Sequence, residues 1–261
     1  MRLLIRLRAC KTFPYDLTYH RNLQGLIYNL IRDSTYAPLH DKQGCKYFSF
    51  SNILPPTRIV HEGSRKSLLV ASPDKELMMT LMEKLRRFVG RTLGIGEMIF
   101  ILEGFEPLEP RIPEGYGECV ISAGTPIVIR IPRYRCGEYT ITPERDYAYV
   151  YWRKEYTPTA FIKQLEDNLA KKYMEYSGMK VESFPLFERL RFRKQVAVPL
   201  QMRSEETTVI GTLWDFHIQA LNDLKRDILQ FGLDAGLGEM NSLGFGFVNL
   251  HEQGRFHGKN S

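Results

Sequence analysis

The sequence predicts an α+β chain of two tandem ferredoxin-like (RRM-like) domains, on three observations. Residues 1–102 read as strand, helix, strand, strand, helix, strand. The second half repeats that order more loosely. A stretch carrying Pro107, Pro110 and Pro113 separates the two. The expected domains are residues 1–106 and 117–261, with a linker over 106–117.

In the first half, Met1, Leu3, Ile5, Leu7 and Ala9 alternate with Arg2, Leu4, Arg6 and Arg8. That is the period of a strand with an apolar face and a basic face. Asp16 or Thr18 is placed to cap a helix whose stripe is Leu23, Leu26, Ile27, Leu30 and Ile31. Lys46–Ser51 and Ser67–Ala71 read as strands, with Pro55 and Pro56 between them. Ser72 is placed to cap a second helix, with Pro73 at its first position and Asp74 and Glu76 in its first turn. Its stripe is Leu77, Met78, Leu81, Met82, Leu85, Phe88 and Val89, and Gly90 is its expected stop. Met98–Leu102 closes the unit as a strand.

In the second half, Cys119–Ile131 holds strand material around a turn at Gly124. Thr157 and Pro158 open a helix with Phe161, Leu165, Leu169 and Tyr173 on one side and Gly178 after it. Val181–Val198 and Thr207–His217 are strand-rich. Leu221, Leu224, Ile228 and Phe231 make a helix stripe that Gly232 should end, and Phe245–Leu250 is the last strand.

With 43% apolar and 25% charged residues, the composition is that of an ordinary globular chain, not a disordered one. The net charge of +6 favours an acidic partner. Cys10, Cys45, Cys119 and Cys136 are scattered singly, which argues against a zinc ribbon and against a disulfide framework. No long apolar run suggests a membrane span and no leader is evident, so the expected compartment is the cytoplasm.

The sharpest local feature is the block GLGEMNSLGFGFV, with Gly236, Gly238, Gly244 and Gly246 flanking Asn241 and Ser242. Glycines let backbone approach a ligand, and successive N–H groups make a nest for phosphate. The block runs from a helix into a strand, which excludes dinucleotide and Walker loops. A glycine-rich hairpin shaped only by packing is the competing reading.

This block resembles the glycine-rich signature of the repeat-associated RNA-binding superfamily of CRISPR proteins, and in particular its repeat-processing endoribonucleases. The pattern is Gly-apolar-Gly, five residues, then Gly-x-Gly. Leu23–Ile31 (LQGLIYNLI) is similar to that family's first helix, and the resemblance extends over nearly the whole chain. It implies metal-independent cleavage of CRISPR repeat RNA: a 2′-hydroxyl attacks the adjacent phosphate, giving a 2′,3′-cyclic phosphate and a 5′-hydroxyl. It implies no cofactor. It also places a Tyr-His-Lys triad on Tyr28, His40 and Lys46.

The residues themselves leave alternatives open. Tyr28 lies off the centre of the apolar stripe, as a cleft-facing or a boundary tyrosine would. His40 sits in a polar loop, as a general acid or a surface histidine would. Lys46 suits charge stabilisation, or lowering of the Tyr28 pKa, as well as plain solvation. His20, in the first helical turn, competes for the acid–base role. Arg189, Arg191 and Arg193 alternate along one strand and form a basic row suited to phosphates. Arg133, Arg135, Arg153 and Lys154 lie among Tyr134, Tyr151 and Trp152, which are able to stack on bases. His61, His217, His251 and His257 suggest no metal, and Asp215 with His217 is a weak ligand pair. The expected partner is CRISPR repeat RNA. Transfer to an effector complex is implied by the resemblance, a homodimer is left open, and no membrane is expected. The alternatives are a repeat-RNA-binding protein that does not cut and a structural subunit of an effector complex.

Overall fold

The computed structural model describes residues 1–114, 118–143, 146–181, 185–202, 205–219 and 222–252. Its elements are β1 (Arg2–Ala9), β2 (Phe13–Pro14), α1 (His20–Ile31), β3 (Ser49–Phe50), β4 (Ile59–Val60), β5 (Arg65–Ala71), α2 (Lys75–Arg86), β6 (Thr92–Ile95) and β7 (Met98–Leu108) in the first half. The second half holds β8 (Cys119–Ala123), β9 (Arg130–Pro132), β10 (Tyr149–Tyr151), α3 (Pro158–Ser177), β11 (Arg189–Met202), β12 (Glu205–Ile218), α4 (Asp223–Ala235) and β13 (Val248–Glu252).

The first sheet has the order β3-β5-β1-β7 with β6 added outside β7, and the second has the order β11-β12-β8-β13. Every neighbouring pair is antiparallel. Taking the four strands of each βαββαβ unit in turn, both sheets follow the order 4-1-3-2 read from one edge. The ferredoxin-like arrangement therefore occurs twice, as the element order predicted. Each sheet has its own core: Leu3, Ile5 and Leu7 meet Leu23, Ile27, Leu81 and Leu85 in the first. Ile121, Trp214 and Phe216 meet Phe161, Leu165, Leu169 and Ile228 in the second.

Several element limits differ from the sequence reading. Asp16 accepts from the Thr18 N–H, but α1 starts after Tyr19 without a side-chain cap. Asp74, not Ser72, caps α2 by accepting from the Leu77 N–H, while the Ser72 hydroxyl accepts from the Asp74 N–H. β3 is only two residues long, and Lys46 lies before it in a loop. β7 runs through Pro107 to Leu108, so the linker begins later than expected. α4 continues past Gly232 to Ala235, because the side chains of Leu237 and Leu169 close over that glycine where a Cβ would collide. Leu221 and His257 lie outside the described residues.

The arginines of the basic face of β1 are ion-paired or buried. Arg6 pairs with Glu106 at 2.7 Å and Arg8 with Glu103 at 3.0 Å, both glutamates lying on neighbouring β7. Arg2 is buried between the two halves, donating to Asn249 Oδ1 and to the Leu233 and Val248 carbonyls at 2.7–3.1 Å. Burial pulls its guanidinium down to about 10. Its three bonds are to groups of the second half, so Arg2 fixes one sheet against the other.

Candidate functional site

The apolar stripe of α1 faces the first sheet. This leaves His20, Gln24 and Tyr28 in one row along the helix flank, four residues apart. The whole row meets one turn of the glycine block, Asn241–Leu243. His20 Nδ1–H donates to the Leu243 carbonyl at 2.8 Å. Gln24 Nε2 donates to the Ser242 carbonyl at 2.9 Å and to its hydroxyl at 3.1 Å. The Tyr28 hydroxyl is next to Ser242 but makes no hydrogen bond of good geometry. A flank of the first half thus meets a loop of the second, although the two are over 200 residues apart in sequence.

At the far end of α1 a turn over Ala37–Leu39 leads into His40. Gly44 and Tyr47, both with positive φ (83° and 49°), then fold the chain back on the helix. The three predicted catalytic residues come together there. The Tyr28 and His40 rings meet edge to face at 5.1 Å. Lys46 Nζ lies 4.9 Å from the centre of the Tyr28 ring and donates to the His40 carbonyl at 2.7 Å. His40 Nδ1–H donates to Asp41 at 2.6 Å, a partner that the sequence reading missed. Its side chain is 66% exposed, and Nδ1 is the ring nitrogen that Asp41 holds. Tyr47 anchors the loop from beyond the site by packing on Tyr176 of α3 and Phe231 of α4.

Burial decides the electrostatics. It pushes the Tyr28 phenol up to about 12 and draws the Lys46 ammonium below its ordinary value, while Asp41 opposes the latter shift. Lys46 covers the face of the Tyr28 ring, not its oxygen. Of the roles open to Lys46, burial works against lowering of the Tyr28 pKa, and a raised phenol is suited to donate a hydrogen bond. His20 differs again: it is 5% exposed and stacks between Tyr19 at 4.7 Å and Phe245 at 5.3 Å. Desolvation lowers its pKa, which keeps the ring neutral.

The glycines shape the loop and are buried in it. Gly236, Gly238, Gly244 and Gly246 all have positive φ, where side chains are strained. A Cβ would meet the Phe50 ring at Gly244, the Leu237 carbonyl at Gly246 and the Val128 carbonyl at Gly238. The N–H groups of Gly236, Gly244 and Gly246 are already donated to carbonyls within the fold. The expected nest of free N–H groups is thus not formed at these three, and the packing reading accounts for them. Asn241 and Ser242 lie within the half-buried part of the loop, residues 239–243. The Asn241 amide spans the loop, donating to the Leu237 and Phe245 carbonyls at 3.0 Å each. Lys172, from the inner side of α3, donates to the Gly236 and Gly238 carbonyls and to Asn241 Oδ1 at 2.8–2.9 Å. It is fully buried, and desolvation pulls its ammonium down to about 8. Nothing in its helix spacing distinguished it from a surface lysine.

Among the basic residues, Arg189 pairs with Glu118, and Arg191 and Arg193 share Asp215. Asp215 is therefore occupied by arginines, and His217 lies 3.6 Å from Glu118. Among the described residues, no three of His, Cys, Asp or Glu group as metal ligands would. Arg189 and Arg191 remain largely exposed, and their row lies on the face of β11 turned away from the helices. Trp152 is buried in the second core against Phe161 and Trp214, so it cannot stack on a base. Tyr134 is exposed, and Arg135 is tied to Glu138 and Asp167. No helix among the described residues is long and apolar enough to cross a membrane.

Residues 109–250 match the family model described as CRISPR associated protein Cas6, C-terminal. A CRISPR-associated endoribonuclease Cas6 of Haloferax mediterranei is 33% identical over 97% of this chain and 94% of its own length. A CRISPR-associated endoribonuclease Cas6 2 of Methanocaldococcus jannaschii is 29% identical over 95% of this chain and 99% of its own. A solved structure described as an RAMP protein binding different RNA substrates superposes with a TM-score of 0.72, at 21% identity, over 97% of this chain and 100% of that one.

Proposed function

The chain belongs to the Cas6 family of CRISPR-associated endoribonucleases, and from that premise we propose that it binds CRISPR repeat RNA and cuts the precursor transcript into guide RNAs. The observation that supports the reading most directly is the meeting of Tyr28, His40 and Lys46 beside Ser242. A phosphodiester placed over this group would have a proton donor, a cation and an imidazole within one side chain's reach.

The cut is a transesterification that needs no metal. The ribose 2′-oxygen passes its proton to a solvent water and bonds to phosphorus, the bond from phosphorus to the 5′-oxygen breaks, and the 5′-oxygen gains a proton. His40 supplies that last proton, since imidazole is the side chain suited to proton transfer at neutral pH. Asp41 holds the ring by Nδ1 and leaves Nε2 to face the leaving oxygen. Lys46 steadies the charge on the phosphorane. Tyr28, protonated throughout, donates to a non-bridging oxygen. Arg189, Arg191 and Arg193 track the backbone, and Ser242, on the turn that the Asn241 amide braces, holds the RNA beside the triad. The products are a 2′,3′-cyclic phosphate and a 5′-hydroxyl. The protein works in the cytoplasm on the nascent transcript and passes the cut RNA to an effector complex.

The test is cleavage of the host's repeat RNA in EDTA, with a 2′-deoxy nucleotide placed at each position in turn. One blocked position is expected, immediately 5′ of the scissile phosphate. Tight binding without any cut would leave a repeat-RNA-binding protein in place of the nuclease.

A further inference from the structure

Beyond the triad, the described residues form an open cleft of about 630 Å³ in the second half. Its walls are β10 with the residues on either side of it, and the first turnings of β12. Tyr147, Tyr149, Tyr151 and Tyr156 line it together with Arg153 and Thr208. Among the described residues, no carboxylate belongs to the lining. Tyr147 is 59% exposed and Tyr149 is half-buried. The Tyr149 and Tyr151 rings stand at 76° to each other, 5.6 Å apart, so they do not stack face to face on one another.

Two contacts join this cleft to the glycine loop. Tyr151 packs on the cluster of Val128, Val198, Val209 and Phe245 that also takes Met240 and Leu243. Arg130, whose guanidinium lies 4.6 Å from the centre of the Tyr149 ring, is ion-paired to Glu239 of the same loop. Met240 and Leu243 bracket Asn241 and Ser242, the part of the loop beside Tyr28. The cleft and the triad are therefore both joined to one short turn.

We propose that this cleft is a subsite for unpaired nucleotides flanking the cut, which stack their bases on Tyr147 and Tyr149 while Arg153 meets their phosphates. The proposal rests on the chain acting on repeat RNA. Phenol rings with hydroxyls and a cation, and without acidic groups, suit single-stranded nucleic acid, whose bases offer flat faces and whose backbone is anionic. The volume lies within the range of small-ligand sites and is too large for a single ring. The Arg130–Glu239 link holds Tyr149 in place before any RNA arrives, so the platform is preorganised.

The experiment uses the full chain and host repeat RNA carrying 2-aminopurine at successive positions on each side of the cut, with a 2′-deoxy nucleotide at the scissile position to hold the substrate intact. Wild type should quench one short run of positions outside the scissile pair. Y147L/Y149L should abolish that quench and weaken binding by about tenfold for each ring lost, whereas Y147F/Y149F should retain both. Repeat RNA trimmed of those nucleotides should bind wild type and the leucine variant equally. Undiminished affinity or quench in the leucine variant would overturn the proposal, and so would equal losses in the phenylalanine variant. Failure of wild type to cut unmodified repeat RNA would instead sink the nuclease reading, and the quench would still decide whether the cleft holds RNA.

Discussion

His20 opens α1 and His40 lies in the loop beyond its far end, and the two imidazoles differ in burial and in partners. His20 is enclosed, stacked between two aromatic rings, kept neutral by desolvation and committed through Nδ1 to the Leu243 carbonyl. His40 is open to solvent and held through Nδ1 by an exposed aspartate. One imidazole fastens the helix to the loop, and the other is the one we propose as the acid. Burial and partners, not residue type, assign the two roles.

Four substitutions break or sharpen that contrast. The largest effect is expected from Gly246→Ala, where a Cβ collides with the Leu237 carbonyl in a left-handed backbone. It should cost roughly 4 kcal/mol of stability, read as a lower denaturation midpoint, and would show the fastening loop to be as indispensable to the fold as a core. Lys172→Met strands two carbonyls and the Asn241 amide oxygen. A loss of about 3 kcal/mol is expected, and chemical denaturation measures it; an unchanged midpoint would deny Lys172 its part in holding the loop. His40→Ala should slow single-turnover cleavage by at least ~10²-fold, about 2.7 kcal/mol of transition-state stabilisation, with repeat-RNA affinity within tenfold of wild type. If His20→Ala, at unchanged stability, matched that loss while His40→Ala did not show it, the two roles would have to be exchanged.

The smallest effect concerns pH. His20 has a lowered pKa in the folded chain, so the unfolded chain takes up its proton first as pH falls through about 6.5. Between the two pKa values the unfolded state binds more protons, and stability rises with pH there. Acidification below about 6.5 should therefore weaken the fold through this residue. His20→Phe, which keeps a stacked ring, should flatten that part of the stability–pH curve, and an unaltered curve would mean that His20 is not the group responsible.

Much of the fold was readable because the apolar periods of β1, α1, α2 and α3 are strong. The misreadings have tertiary causes. Gly232 looked like a helix stop because the leucines packed over it come from α3 and from the glycine block. Trp152 looked like a stacking platform because its place between Phe161 and Trp214 depends on α3 and β12. The β1 arginines looked free because Glu103 and Glu106 reach them only once β7 pairs in register. At the site, the resemblance named Tyr28, His40 and Lys46, and the structure places them together. Asp41, Gln24 and Lys172 went unnoticed, although the fourfold spacing of His20, Gln24 and Tyr28 offered a clue to the second. Lys172 offered none, since only the carbonyls converging on its ammonium distinguish it.

The glycine loop has a consequence for selectivity. Its backbone is already fully ordered by left-handed glycines, the Asn241 bridge and the Lys172 ammonium in the free protein. Association with a transcript therefore spends no free energy on moulding this turn. On the proposed reading, a rigid template of that kind would favour strands that arrive in the matching shape, and discrimination between transcripts would rest on the conformation the nucleic acid brings with it.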